Sequence, residues 1–183
     1  MTVYLIRHGK TEANEKRLYC GSTDLPLSEK GAEELRNCCY KISDVRYFTS
    51  GMKRTEQTLK LLFGNVPYEA DFRFREVDFG MFEMHSYEQL KNDPAYVTWI
   101  SGDNEGNVPP GGESGRQMKQ RVLEAFHEIQ QDTVVVCHGG VIACIMESLF
   151  PEEQKSRYEW QPANGCGYAV RDGGYQRISP VRE

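Results

Sequence analysis

The sequence predicts an α/β fold built on a mostly parallel central sheet with helices on both faces. Strand-like runs alternate with helix-like stretches along the chain, the order that builds such sheets. Two runs, residues 2–7 (TVYLIR) and 133–137 (TVVVC), show little polar alternation, as strands buried on both faces do. Both runs stop at the same kind of boundary, Arg7-His8-Gly9 in one case and His138-Gly139-Gly140 in the other. Ligands of parallel sheets lie beyond the carboxyl ends of the strands, so these two boundaries mark the candidate site.

The elements follow in order. Residues 2–7 form a strand, and 23–27 (TDLPL) a turn-rich loop. Ser28 caps a helix running to about residue 40, with Ala32, Leu35 and Cys39 on one face. A short strand at 45–49 leads to a helix at 53–63, where Leu59, Leu62 and Phe63 are apolar and Gly64 closes the element. Another short strand is expected at 66–69, then a loop carrying Arg75 to Gly80. Ser86 with Gln89 forms a capping box, and a second short helix covers 93–100. Residues 102–112, rich in Gly, Pro and Asn, form a loop. Ser114 with Gln117 opens a helix to about residue 130, with Met118, Val122, Ala125, Phe126 and Ile129 at helical spacing. A strand at 133–137, a helix at 140–149 stopped near Pro151, and strands near 167–171 and 175–178 complete the chain.

At 183 residues the chain reads as one domain, 1–183. Apolar residues make up 39% and charged residues 27%, ordinary for a globular protein, and the net charge is −5. Nucleic acid is therefore not expected as a partner, and an anionic substrate needs a local positive site. No apolar stretch approaches the ~20 residues that span a bilayer, so no membrane association is expected. The first residues lack a signal peptide's apolar region, so a cytoplasmic location is expected. Cys20, Cys38, Cys39, Cys137, Cys144 and Cys166 form no CxxC pair; they read as reduced thiols rather than a disulfide framework or a zinc site. The oligomeric state is left open, a homodimer included.

An imidazole at a strand end can serve as a nucleophile, a general base, a metal ligand or a packed structural group. With His85 and His127 the only other histidines, and no H-x-H or HExxH pattern, no metal is expected. The neighbours favour phosphate. Arg7 adjoins His8, and Arg54 opens a helix just after a strand; a guanidinium matches phosphoryl oxygens bidentately. Gly9, Gly139 and Gly140 allow backbone N–H groups close to an anion, with a helix N-terminus behind the second pair. Glu76, flanked by Phe74, Val77 and Phe79, is the candidate acid for the leaving group; an apolar setting is expected to raise its pKa.

The run Arg7-His8-Gly9-Lys10-Thr11-Glu12-Ala13-Asn14 resembles the R-H-G-x-T-x-x-N signature of the histidine phosphatase superfamily, the phosphoglycerate mutase-like proteins. Asp24-x-Pro26-Leu27-Ser28-x-x-Gly31, Ser50-x-x-x-Arg54-Thr55-x-Gln57-Thr58, Arg75-Glu76-x-x-Phe79-Gly80, Gly111-Gly112-Glu113-Ser114 and His138-Gly139-Gly140 follow in the family's order. The resemblance covers residues 3 to about 145 and implies a three-layer sandwich of the phosphoglycerate mutase-like kind.

It further implies that His8 becomes phosphohistidine, that Arg7, Arg54 and a charged His138 clamp the phosphoryl oxygens, and that Glu76 is the general acid and later the base. Asn14 matches a polar phosphate contact. No cofactor or metal is implied. Cys20, Gly21 and Gly139 are placed among the substrate contacts; Arg17, Tyr19, Tyr87, Tyr96, Trp99 and residues 164–166 are further wall candidates. Glu113 is read as a residue that could order the site, and Glu83 as a rival acid in a separate motif. Relatives often read W-E-G there, whereas this chain has Phe82-Glu83-Met84, so the local loop shape is expected to differ.

Mutases hold phosphohistidine away from water beneath longer insertions. This short chain is read instead as a metal-independent phosphomonoesterase acting on a small phosphorylated metabolite, with α-ribazole 5'-phosphate the first substrate named. The alternatives are a phosphoglycerate mutase and a non-catalytic phosphate-binding module.

Overall fold

A computed structural model describes residues 1–103 and 105–182 of the chain; Asn104, within the expected 102–112 loop, and Glu183 lie outside the described residues. The chain opens with β1 (Thr2–Arg7), α1 (Glu12–Lys16), α2 (Glu29–Leu35) and β2 (Cys38–Cys39). It continues through β3 (Arg46–Thr49), α3 (Lys53–Phe63) and β4 (Glu69–Ala70) into two short 3-10 turns, Phe72–Phe74 and Gly80–Phe82. Then follow α4 (Tyr87–Leu90), α5 (Pro94–Ile100), α6 (Gly115–His127), β5 (Thr133–Cys137), α7 (Gly139–Leu149) and α8 (Arg157–Trp160). The last elements are β6 (Gly167–Arg171), β7 (Gly174–Ile178) and β8 (Val181–Arg182).

The main sheet has the order β4-β3-β5-β1-β6-β7. Its first four strands are parallel, and β6 and β7 run antiparallel at one edge. The apolar strands at the centre supply residues alternately to two cores. Val3, Leu5, Val135 and Cys137 pack with Met118 and Val122 of α6, Ile142 and Ile145 of α7, and Trp160 of α8. Ile6, Val134 and Val136 face the other way, onto Leu35 of α2 and Leu59 and Leu62 of α3. Both faces being buried, neither strand needs a polar side, which is why the polar alternation is missing. Each buried Leu, Ile or Val contributes about 1.5–3 kcal/mol of transfer free energy.

Several element boundaries differ from the sequence expectation. The helix opened by Ser28 ends at Leu35, not near residue 40: Arg36 turns extended, Asn37 takes φ 61°, and Cys38–Cys39 pair with Val181–Arg182 as a separate two-stranded ribbon. Cys39 is therefore on a strand. The strand expected at 66–69 is shifted to Glu69–Ala70, past Pro67, which has no N–H for a ladder. The helix expected to reach residue 130 stops at His127. Helices α1 and α8, five and four residues long, are too short to show a periodicity. Among the described residues no helix is long and apolar enough to cross a membrane.

A third cluster joins buried Phe82, Leu90 and Tyr96 to half-buried Tyr19, Phe79 and Trp99, with the Tyr19 and Tyr96 hydroxyls 2.5 Å apart. It ties the loop after α1 to the segment around α4 and α5. Tyr96 and Trp99 are thus packing residues of this cluster. The turn at its edge keeps a left-handed residue without a glycine: Met84 has φ 60° while its N–H donates to the Tyr19 carbonyl at 2.7 Å. Position 84 is thus left-handed without a glycine, its side chain held in a disfavoured region.

Met84→Gly is expected to raise stability by about 0.5–1 kcal/mol through relief of that strain, a Tm increase of roughly 1–4 °C for a chain of this size. Thermal unfolding of the two proteins checks it; a lower Tm for Met84→Gly would mean that the side chain's contacts outweigh the strain.

Candidate active site

Parallel pairing of β1 with β5 sets Arg7 opposite Cys137, so the residues that follow, His8 and His138, emerge side by side. The His8 N–H donates to the Cys137 carbonyl at 3.0 Å, and the two imidazoles lie edge to face with centroids 5.1 Å apart. Both are buried, His8 at 6% exposure and His138 at 0%.

The hydrogen bonds define the tautomers. The His8 Nδ1 lies 2.6 Å from the Gly9 carbonyl, which can only accept, so Nδ1 carries the proton and Nε2 the lone pair. Burial, followed by the charge of Arg54, holds the His8 pKa well below the usual imidazole value, against the opposing pull of the Gly9 carbonyl. At His138, Nδ1 accepts from the Arg54 Nε at 3.3 Å; the proton therefore sits on Nε2, 2.8 Å from the Ser50 Oγ. Burial and then Arg54 and His8 push its pKa well down too. The charge expected at His138 is thus absent, because the ring is desolvated beside cations.

Arg54, the second residue of α3, is 1% exposed. Its Nη1 donates to the Thr23 carbonyl at 2.8 Å and its Nη2 to the Gly21 carbonyl at 2.7 Å. With Nε on His138, three of a guanidinium's five donors are engaged among the described residues, and two remain for a ligand. Arg7 donates from Nη1 to the Pro162 carbonyl at 2.8 Å, while its buried Nε has no partner among the described residues. A buried donor left unpaired costs about 1–3 kcal/mol, and an anion at this point would satisfy it. Burial lowers the pKa of both arginines, and the charge of Glu76 partly opposes this at each.

Glu76 joins the same group, in a setting that differs from the apolar one expected. Its Oε2 accepts from Gly140 N at 2.8 Å and its Oε1 from Val77 N at 3.0 Å, whereas neighbouring Phe74 faces the core and Phe79 the aromatic cluster. The amino end of α7 therefore meets the protein's own carboxylate, and Gly140 is not free to donate to a ligand. Close approach explains the glycines: a Cβ at Gly140 would fall 2.4 Å from the Glu76 Oε1, and one at Gly139 3.1 Å from the Arg7 Cζ.

The structure brings His8, His138, Arg7, Arg54, Glu76 and Gly139 together. It gives the remaining expected contacts other work. Asn14 accepts through Oδ1 from the Thr11 N–H and hydroxyl, in the capping box that starts α1. Gly21 donates its N–H to Glu83 and lends its carbonyl to Arg54, so neither group is left for substrate. Half-buried Cys20 points its thiol at the Thr23 carbonyl, 3.6 Å away, and burial pushes that thiol's pKa up. Residues 164–166 support the β1 end: Asn164 donates to the His8 carbonyl, Gly165 N to the Arg7 carbonyl, and the Cys166 carbonyl accepts from Arg7 N.

Sequence reasoning missed several supports. Thr58 accepts from Gly9 N and donates to the Arg54 carbonyl. Arg121 pairs with Glu113 and donates to the carbonyls of Arg73, Arg75 and Glu76, which fixes the loop that presents Glu76. Glu83, read as a rival acid, has its carboxylate on the backbone of residues 21–23. Only the motif positions of Thr58, Glu83 and Glu113 signalled these roles, since the contacts are long-range.

The family model of the histidine phosphatase superfamily (branch 1) matches residues 3–178. The adenosylcobalamin/alpha-ribazole phosphatase of Salmonella typhimurium is 30% identical, over 93% of this chain and 90% of its own length. The human 6-phosphofructo-2-kinase/fructose-2,6-bisphosphatase 4 is 34% identical over 79% of this chain, which corresponds to 32% of that larger protein. The crystal structure of a phosphoglycerate mutase from Thermus thermophilus is 27% identical, covers 100% of this chain and 99% of its own, and superposes with a TM-score of 0.76.

The two buried neutral histidines generate a pH dependence. Their folded pKa values lie below the unfolded ones, so the unfolded chain binds more protons below about pH 6.5 and stability falls with falling pH, by up to about 1.4 kcal/mol per pH unit for each ring. Urea unfolding between pH 7 and pH 5 is expected to show a smaller loss for His8→Gln than for wild type. Equal losses would mean that His8 titrates normally in the fold.

Proposed function

The chain belongs to the histidine phosphatase superfamily and is a phosphatase, and from that premise we propose that it hydrolyses the monoester of a small phosphorylated metabolite through phosphohistidine at His8. The observation that carries this reading is the His8 tautomer: Nδ1–H held by Gly9 O leaves the Nε2 lone pair as the nucleophile.

In the first step Nε2 attacks phosphorus, the P–O ester bond breaks, and the departing alkoxide takes a proton from Glu76. In the second, water attacks the phosphorus of phosphohistidine, Glu76 takes the water proton, the P–N bond breaks, and inorganic phosphate leaves with the His8 lone pair restored. Arg7 and Arg54 offer fixed donors to the charge on the transferring group, which has the loose, anionic character that positioned cations stabilise. His138 offers its donor in the neutral form, the Nε2–H that lies 2.8 Å from the Ser50 Oγ, while its Nδ1 holds the Arg54 Nε. The Oδ1 of Asn14 being occupied, its amide N–H2 is the end available to phosphate. The chemistry is carried by side chains, without a cofactor.

The relative named for alpha-ribazole supports α-ribazole 5'-phosphate as the first substrate to test. One observation favours a mutase: His8 is only 6% exposed, the exclusion of water that phosphoryl transfer between hydroxyls requires. Turnover of 3-phosphoglycerate with a bisphosphoglycerate primer, without release of phosphate, would establish that alternative.

Wild type is expected to release phosphate from p-nitrophenyl phosphate and α-ribazole 5'-phosphate equally well with and without EDTA. His8→Ala should lose turnover and carry no acid-labile phosphoryl label; a labelled variant would move the nucleophile elsewhere. Glu76→Gln should slow alkyl esters about 10²- to 10⁴-fold while p-nitrophenyl phosphate, whose leaving group needs no proton, loses far less. The same loss on both would remove Glu76 from the acid role.

A further inference from the structure

We infer that Glu83 is a positioning residue for Arg54, acting through the peptide groups of residues 21–23; the inference rests on the phosphatase reading of the site. The carboxylate of Glu83 lies on one side of this loop. It accepts from Gly21 N at 2.9 Å, Ser22 N at 3.0 Å, Thr23 N at 3.2 Å and the Thr23 hydroxyl at 2.7 Å, and also from Phe79 N at 3.1 Å. Arg54 lies on the other side and takes the carbonyls of Gly21 and Thr23. Gly21 and Thr23 therefore each present an N–H to an anion and a C=O to a cation.

Bonds to an ionised partner are shorter and about twice as strong as neutral ones. A carboxylate that gathers three consecutive N–H groups fixes the orientation of their peptide planes, and with it the two carbonyls that the Arg54 fork must meet. The guanidinium plane is set by those carbonyls and by His138. Without Glu83 the loop can rotate, and the two free N–H groups of Arg54 lose their aim at the anion. Gly21 completes the device. Its missing side chain lets the loop lie flush on the Glu76 segment, where a Cβ would fall 1.6 Å from the Val77 carbonyl. The carboxylate of Glu83 bonds to this loop and to Phe79, not to His8 or His138; its effect on the site runs through Arg54.

The test compares two backgrounds. Glu83→Gln keeps the size of the side chain but replaces one acceptor with a donor that faces the loop N–H groups. In otherwise wild-type protein it is expected to lower kcat/KM and to weaken binding of inorganic phosphate, each about 10- to 100-fold. In an Arg54→Lys background, where no fork remains to be aimed, the same change is expected to cost less than about 3-fold. Equal losses in the two backgrounds, or an unchanged phosphate Kd for folded Glu83→Gln, would overturn the inference. A merely structural role moves Tm and leaves the losses additive. Should Glu83→Gln not fold, Thr23→Val removes only the hydroxyl bond, and the same comparison applies with a smaller expected loss. Wild type that binds phosphate but hydrolyses no ester would refute the phosphatase reading, while the phosphate Kd would still decide the role of Glu83.

Discussion

Parallel pairing of β1 and β5, with Arg7 opposite Cys137, is the constraint on which the rest of the molecule depends. It carries two strand ends to one edge of the sheet, although Arg7 and Cys137 lie far apart in sequence. The register also sets the height at which the chain turns, so that the His8 N–H closes the ladder on the Cys137 carbonyl and the two imidazoles meet at 5.1 Å. A slip of one residue would send every side chain of the strand to the opposite face. Because both faces are buried, the cores on either side hold that register.

The price of this arrangement is buried charge. Arg54 is 1% exposed, and a guanidinium in such a place survives only if its donors are met. Carbonyls meet them: Gly21 and Thr23 for Arg54, and Pro162 for Arg7. The carboxylates of Glu76 and Glu83 stand nearby, one against the amino end of α7 and the other beneath the 21–23 loop. The two imidazoles remain neutral because they are buried beside cations. Among the described residues the Nε of Arg7 is left without a partner, and it lies in the group that the family's chemistry assigns to phosphate.

Much of this was legible in the sequence because the decisive signals are local. The apolar runs ending in His8 and His138 announced two strands and a shared edge, and the order of motifs announced the family. The capping boxes at Ser86 and Ser114 appear as expected. What escaped depends on distant partners. No local pattern says that Cys38–Cys39 will pair with Val181–Arg182, so the helix after Ser28 reads as longer than it is. Glu83 reads as a rival acid because its bonding partners lie some sixty positions earlier. The neutral state of His138 also follows from its surroundings, since a motif names a residue without stating its charge.

A crystal structure with bound orthovanadate tests the central claim most directly, since the five-coordinate anion imitates phosphorus in transfer. The account predicts a bond from vanadium to the His8 Nε2, with equatorial oxygens within hydrogen-bond distance of the Arg7 Nε and the Arg54 guanidinium. Vanadate bonded to another side chain, or bound with His8 turned so that Nδ1 faces the metal, would contradict it.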